Sequence, residues 1–355
     1  MALTARYVVF NDEAPHLSIV DSILPELQEG ELLVKVQYTA LCRSDINTFV
    51  GKRKEKTPTI LGHESVGVIY KIASNKPMLD GRGVKLTMGK RITWGIYSSD
   101  PNDPLSLQGL PQKARFLFKY GHEEVTDSSS FHGGLSEFIV LRKNTPIVVL
   151  EDNISSEVAS LINCSIATVA AAFRLAGPLA KKQVMITGAG MLGMFACAMA
   201  AEQKAASVCA VDISKKRLDL AMQYGASQTL FFEELSAHSI KPDVIIDFSG
   251  ANEAMKQSLL IAATGAKIIW VGATFPQEDL EISAEMVIRR ILTIQGIHNY
   301  NEADLVQAVG FLERTYQQYD FSKFIEQSFQ LEETQAAFDY AVEHNPFRVG
   351  ITFKD

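Results

Sequence analysis

The stretch that most restricts what this chain can become is Gln183-Val184-Met185-Ile186-Thr187, which runs directly into Gly188-Ala189-Gly190-Met191-Leu192-Gly193. A short apolar run, then G-x-G-x-x-G, then an apolar segment from Met194 to Gln203 predicts strand, tight turn and helix in that order. The first glycine permits the turn, the second lets backbone approach a pyrophosphate, and the third lets helix and strand pack closely. The helix start offers unbonded N–H groups and a partial positive charge to phosphates. The next apolar run, Ser207 to Val211, ends in Asp212, 19 positions after Gly193. A carboxylate there accepts hydrogen bonds from ribose hydroxyls and repels a 2′-phosphate, so NAD(H) is expected over NADP(H). Arg217 is placed to reach the ribose edge, or is simply a solvated helix residue. A glycine-rich turn without a ligand is the plainer alternative, and the strand, helix and terminal acid together argue against it.

The surroundings carry the same pattern. From about residue 160 to 300, short apolar runs (183–187, 207–211, 243–247, 267–271) alternate with helical segments, which predicts a parallel sheet covered by helices on both faces. The first 150 residues are β-rich instead, with strands expected at 32–36 and 66–70. Ser98 to Gln112 is polar and proline-rich, and is expected to form an exposed lobe or loop. The tail after about 300 is mixed and ends in a strand-like run, 348–353. With 355 residues, 47% apolar and 21% charged, the chain can build two cores. A formal charge of −7 argues against a nucleic-acid partner. No unbroken apolar run approaches the roughly 18–20 residues of a membrane helix, so no membrane span is expected, and Met1 to Phe10 does not read as a signal peptide. A cytoplasmic protein is expected.

Four cysteines, Cys42, Cys164, Cys197 and Cys209, are too few for a disulfide framework in such a chain. Leu41-Cys42-Arg43-Ser44-Asp45 precedes Leu61-Gly62-His63-Glu64, and Cys164 stands in Asn163-Cys164-Ser165. Two thiolates and an imidazole leave one position of a tetrahedral zinc site open, the composition of a catalytic site. Glu64 is a transient fourth ligand, and Asp45 is expected to hold the free ring nitrogen of His63. Each residue also has a plain reading: buried free thiols for the cysteines, a satisfied histidine for His63. Gly121-His122-Glu123 repeats the Gly-His-Glu tripeptide without a cysteine at the needed spacing, so His122 is expected to be structural or a wall of the substrate cleft. Cys197 and Cys209 read as core.

Together, Cys42-Arg43-Ser44-Asp45, Gly62-His63-Glu64-Ser65-Val66-Gly67, His132-Gly133-Gly134-Leu135-Ser136-Glu137-Phe138, Asn163-Cys164 and the glycine loop with Asp212 resemble the zinc-dependent alcohol dehydrogenase branch of the medium-chain dehydrogenase/reductase superfamily. The resemblance runs nearly end to end. It implies an α/β chain with a GroES-like catalytic domain from both ends (1–160 and 300–355) and an inserted Rossmann domain (161–299) with a doubly wound parallel sheet. It also implies a homodimer or homotetramer, and Val271, Gly272 and Ile297 beside the nicotinamide. Residues 109–113 and 118–123 further resemble the dehydrogenases associated with phosphonate catabolism, a likeness too narrow to assign a substrate.

Two departures matter. Many members hold a second, structural zinc with four cysteines in a lobe matching residues 96–115. No cysteine lies between Cys42 and Cys164 here, so no structural zinc is expected and packing must hold the lobe. Asn47 stands where many relatives use a histidine to pass the proton to water, so the proton must leave by another route. The expected reaction moves hydride between an alcohol and NAD(H), with Ser44 taking the alcohol proton and Cys42, His63, Glu64 and Cys164 holding zinc. The alternatives are a zinc-free reductase of the same fold, of the quinone or enoyl type, and a non-catalytic NAD(H)-binding protein. Trp94, Ile96, Tyr97, Phe116 and His122 are candidates for shaping the pocket.

Overall fold

Residues 3–14 and 16–354 are described in a computed structural model. Met1 and Ala2, part of the N-terminal stretch read above, lie outside the described residues, as do Pro15 and Asp355. The chain forms two compact units. One is Thr168–Tyr300 with Gln317–Tyr319; the other is the chain up to Ala167, Asn301–Tyr316 and everything from Asp320 on.

In the first unit the apolar runs become strands β1 (Gln183–Thr187), β2 (Ser207–Asp212), β3 (Gln228–Phe231), β4 (Val244–Asp247), β5 (Lys267–Trp270) and β6 (Thr293–Gly296). All pair in parallel, in the order β3-β2-β1-β4-β5-β6. This is the doubly wound order of a Rossmann domain, with its topological switch between β1 and β4. The central strands are buried almost throughout, as strands covered on both faces must be. The helix after β1 spans Met191–Glu202 rather than starting at Met194, because Gly190 is already its extended N-cap. Cys197 and Cys209 are fully buried in this unit.

The other unit is built around the strand Glu31–Leu41, in a seven-stranded sheet. Its antiparallel partners include Glu64–Ala73 and Arg348–Thr352, in a register that sets Ala40 opposite Glu64 and Leu41 opposite Val349. That register brings the chain just after Leu41, just before Glu64 and just before Val349 to one end of the sheet. Cys42, His63 and Arg348 therefore meet, although hundreds of positions separate the first from the last. Trp94 and Tyr97 are core side chains, 1% exposed, and Phe116 is 83% exposed, so these three do not form a pocket wall together.

Two expectations need correction. The 98–112 stretch is more than an exposed loop. It contains the helix Pro104–Leu107, and Asp103 is buried beneath it, capping Leu105 (2.9 Å to its N–H) and pairing with Arg115 (3.0 Å). Ser98 is also buried and donates to the Lys143 carbonyl at 2.7 Å. The second concerns apolar length: Ser156–Ala176 is a helical run of 21 residues with mean hydropathy 1.6, long and apolar enough to cross a membrane by composition alone. Ser, Asn, Cys and Arg side chains interrupt it, so it contains no unbroken apolar run of that length. Within the protein 78% of its most apolar window is buried, which is how a core helix satisfies such a composition.

Candidate active site

The helix Arg43–Phe49 begins at Cys42, whose extended backbone makes it the N-cap. Asp45, three positions on, turns back. One carboxylate oxygen accepts the Cys42 N–H at 2.8 Å; the other accepts the Gly62 N–H at 3.1 Å and lies 3.4 Å from His63 Nδ1. One buried carboxylate thus fastens the cysteine turn to the histidine turn. Gly62 has φ +89°, and a Cβ there would press on the Gly134 and Leu135 backbone and on Thr39. The glycines of His132-Gly133-Gly134 face the same turn: a Cβ on Gly133 would strike the Ile60 carbonyl and one on Gly134 the Ser65 hydroxyl. The two motifs are halves of one close backbone packing.

Cys164 arrives on the single π-helical turn Ile162–Ile166, a distortion often found at functional sites. The ligand atoms of Cys42, His63 and Cys164 all lie within 4.8 Å of one another. Around one tetrahedral zinc, with bonds of about 2.0–2.3 Å, such atoms sit roughly 3.3–3.8 Å apart. The donor set, its burial and its spacing therefore fit zinc after small adjustments. Ser44 Oγ is 3.5 Å from His63 Nε2, beside the cluster. Glu64 is not in the cluster. It is fully buried and held by Arg348 (Nε to Oε2 2.6 Å, Nη2 to Oε1 2.8 Å) and by the Ser165 hydroxyl (2.9 Å). Arg348 Nη2 also lies 3.7 Å from Cys42 Sγ. Hydrogen bonding from the Cys164 thiol, with Arg348 and His63 nearby, holds Cys42 well below the usual thiol range. Burial alone would lower His63, but Asp45 and Cys42 outweigh it and raise the imidazole to about 10.

Sequence reasoning missed Arg348 and Ser165, since nothing local distinguishes an arginine at a strand start or a serine in an apolar helix. His122, expected to be structural or a wall of the substrate cleft, packs its ring on His63 with centroids 5.1 Å apart. Gly121 explains the approach: at φ +79°, a Cβ on it would lie 2.6 Å from the Gly62 carbonyl oxygen. The two Gly-His-Glu tripeptides pack against each other.

In the Rossmann unit a cavity of about 500 Å³ opens at the carboxyl ends of β1, β2 and β4, the switch point, lined among others by Gly188, Gly190, Asp212, Arg217, Phe248 and Ser249. Gly188 has φ +89° and a Cβ on it would lie 2.6 Å from the Ser249 nitrogen; a Cβ on Gly193 would strike the Gly188 carbonyl; one on Gly190 would meet nothing within 4 Å. The space open at Gly190 suits a close-lying phosphate. Asp212 accepts the Ala189 N–H (2.7 Å) and the Ser214 N–H (2.9 Å), and Arg217 stands 3.9 Å from it. Met191, Leu192 and Gly193 form the first turn of the helix behind the loop. Val271, Gly272 and Ile297 follow the ends of β5 and β6 and are not among the residues lining this cavity.

Residues 28–152 match the family model "Alcohol dehydrogenase GroES-like domain" and residues 192–314 match "Zinc-binding dehydrogenase", well over half of the chain between them. The chain belongs to the zinc-dependent alcohol dehydrogenase branch of the medium-chain dehydrogenase/reductase superfamily. It is similar to a probable D-xylulose reductase A of Neosartorya fischeri, 29% identical with 87% of each chain covered. It is also similar to the D-arabitol-phosphate dehydrogenase of Enterococcus avium, 27% identical over 94% of this chain and 93% of that one. An alcohol dehydrogenase structure from Thermotoga maritima superposes with a TM-score of 0.91 at 24% identity, covering 99% of this chain and 100% of that one. Like other zinc-dependent alcohol dehydrogenases, this chain is an oxidoreductase of alcohols that uses zinc and a nicotinamide cofactor. The zinc-free and non-catalytic alternatives lose their ground with it.

Proposed function

We propose that this enzyme interconverts a polyol-type alcohol with its carbonyl compound, using one zinc ion per chain and NAD(H). The observation that carries the reading is the convergence of Cys42, His63 and Cys164 with Ser44 at their edge. When bound there, zinc supplies Lewis-acid polarisation of the substrate oxygen. The chain's own groups do the rest. Asp45 holds the His63 ring so that Nε2 faces the cysteines. Ser44 receives the proton of the substrate hydroxyl and passes it on through water, since Asn47 cannot titrate. Arg348 keeps Glu64 as a neutralised reserve ligand. In the other unit, the start of the helix Met191–Glu202 holds the pyrophosphate, Asp212 the ribose hydroxyls with Arg217 alongside, and Val271, Gly272 and Ile297 the nicotinamide.

Several features support the finer points. The Asp212 carboxylate at the cavity edge favours NAD(H). The lobe around Asp103 is tied by its own capping and ion pair, a role cysteines would otherwise fill. The names of the relatives favour a polyhydroxylated substrate. Strand β6 is a sheet edge with Thr293, Gln295 and Gly296 exposed, near Ile288 (74% exposed) and Ile291 (71%); this edge suits pairing with a second copy in a homodimer or homotetramer. Four free thiols suit a reducing cytoplasm.

The test is Cys42→Ala and Cys164→Ala, assayed with polyols and both cofactors. Turnover and zinc should be lost while NADH binding stays, and the unmodified enzyme should hold about one zinc per chain and prefer NAD by about tenfold or more. Turnover in a metal-free variant, or two zinc ions per chain, would refute the reading.

A further inference from the structure

One buried side chain ties together the strand ends beneath the cofactor cavity. Thr187 pairs with Asp247, and Asp247 with Trp270, as the last rungs of the β1–β4 and β4–β5 ladders. Past these rungs the chain turns away, and at a switch point the connections leave in opposite directions, so the ladders alone do not fix the turns. The Asp247 carbonyl accepts the Val271 N–H (2.9 Å) and the Gly272 N–H (3.1 Å), which fastens the end of β5. Its side chain, fully buried, fastens the rest. Oδ1 accepts the Thr187 and Ser249 hydroxyls, each at 2.6 Å, and Oδ2 accepts the Gly250 N–H at 2.9 Å. The Ser249 oxygen in turn accepts the Ala251 N–H at 3.2 Å. Thr187, Ser249 and Ala251 line the cavity, whereas Asp247 does not. The turns also touch. The Gly188 turn rests on the Ser249 nitrogen, as noted above, and a Cβ on Gly272 would lie 2.4 Å from the Gly250 nitrogen.

We propose that Asp247 is the positioning residue of the cofactor site: by holding the Gly188 turn, the Ser249–Gly250 turn and the end of β5 in one arrangement, it sets the spacing between the places of the pyrophosphate and the nicotinamide. The inference rests on the reading above, in which the start of the helix Met191–Glu202 holds the pyrophosphate and Val271 and Gly272 the nicotinamide. Asp247 acts through these residues and touches no part of the cofactor. A site already arranged spares the ligand the cost of ordering it. Removing a buried acceptor of three hydrogen bonds leaves two hydroxyls and an N–H to find new partners, and the turns they belong to move apart.

The test measures NADH and AMP binding by calorimetry to the zinc-loaded protein and to its Asp247→Ala, Thr187→Val and double variants. AMP spans only the adenosine end, where the Ala189 and Ser214 N–H groups, not Asp247, fasten Asp212. Asp247→Ala should weaken NADH about tenfold to a hundredfold and leave AMP within about twofold, as the loss of hydrogen bonds to a carboxylate at one end of the site implies. A general loosening of the domain would weaken both ligands alike. Thr187→Val keeps the side chain's shape and cuts one tie, so it should weaken NADH about fivefold. The double variant should bind NADH no worse than Asp247→Ala alone, because that tie is already gone. Unchanged NADH binding in Asp247→Ala, a parallel loss of AMP, or additive losses in the double variant would overturn the assignment. If Asp247→Ala does not fold, Thr187→Val decides by the same split: NADH weakened with AMP retained upholds the assignment, and NADH unchanged or AMP lost in parallel overturns it. No NADH binding by the unmodified protein would instead refute the cofactor reading itself, and the assignment with it.

Discussion

A single guanidinium joins three groups beside the candidate metal site. Arg348 takes both oxygens of Glu64, reaches Ser165 Oγ at 3.0 Å and approaches Cys42 Sγ, all of them buried or nearly so. Breaking a buried pair on one side leaves an uncompensated charge, at a cost of about 3–5 kcal/mol. Arg348→Met should therefore destabilise by that amount in chemical denaturation, and adding Glu64→Gln should recover most of it. Additive losses in the double variant would show that the pairing is not what holds either residue. The candidate ligands were legible as residue types in order, Cys42, His63 and Cys164. What was not legible is that Asp45 also turns back onto two separate backbone N–H groups, those of Cys42 and Gly62, and so fastens the two turns together. Arg348 carried no signal at all, since its role exists only through a partner 284 positions away.

At the scale of elements, the strand, glycine loop and helix of residues 183–202 form a unit whose parts can be tested apart. Gly193→Ala puts a methyl against the Gly188 carbonyl, so it should cost on the order of 1–3 kcal/mol of stability and lower the melting temperature. Gly190→Ala meets no neighbour within 4 Å and should leave the fold intact, yet weaken NADH binding by occupying the phosphate's space. Fluorescence titration of NADH separates the two cases, and equal melting losses for both variants would refute this division of roles. The element was readable from sequence because its period and its glycines are local properties. The short strands β3 and β6 carried no strand signal, because Gln228–Phe231 and Thr293–Gly296 are rich in polar residues and mostly half-buried or exposed, unlike the equally short but more apolar and more buried β4 and β5.

At the scale of the whole molecule, the two ends of the chain belong to one compact unit. Glu332 pairs with both Arg6 (2.8 Å) and Lys354 (2.8 Å), and these partners depress its carboxyl to about 2, hydrogen bonding from Lys354 foremost. An unfolded glutamate titrates near 4.3. The pair's stabilisation is thus present above that value and lost as the pH falls through about 2. The groups are largely solvated, so Glu332→Gln should cost only about 0.2–1 kcal/mol at pH 7 and nothing near pH 1.5, measured as the difference in denaturation midpoints. A constant difference across that range would refute the linkage. By itself the sequence determined the alternating strand–helix half, the dinucleotide loop, the kinds of metal-ligating residue and the absence of cysteines from the 98–112 lobe. These are written in periodicity and composition, which act over a few residues. Tertiary structure alone decided that Glu64 faces Arg348 rather than the cysteines, that His122 lies against His63, and that Asp103 anchors the lobe. Each depends on strand register and on backbone packing between distant glycines, and neither is encoded in any one stretch of chain.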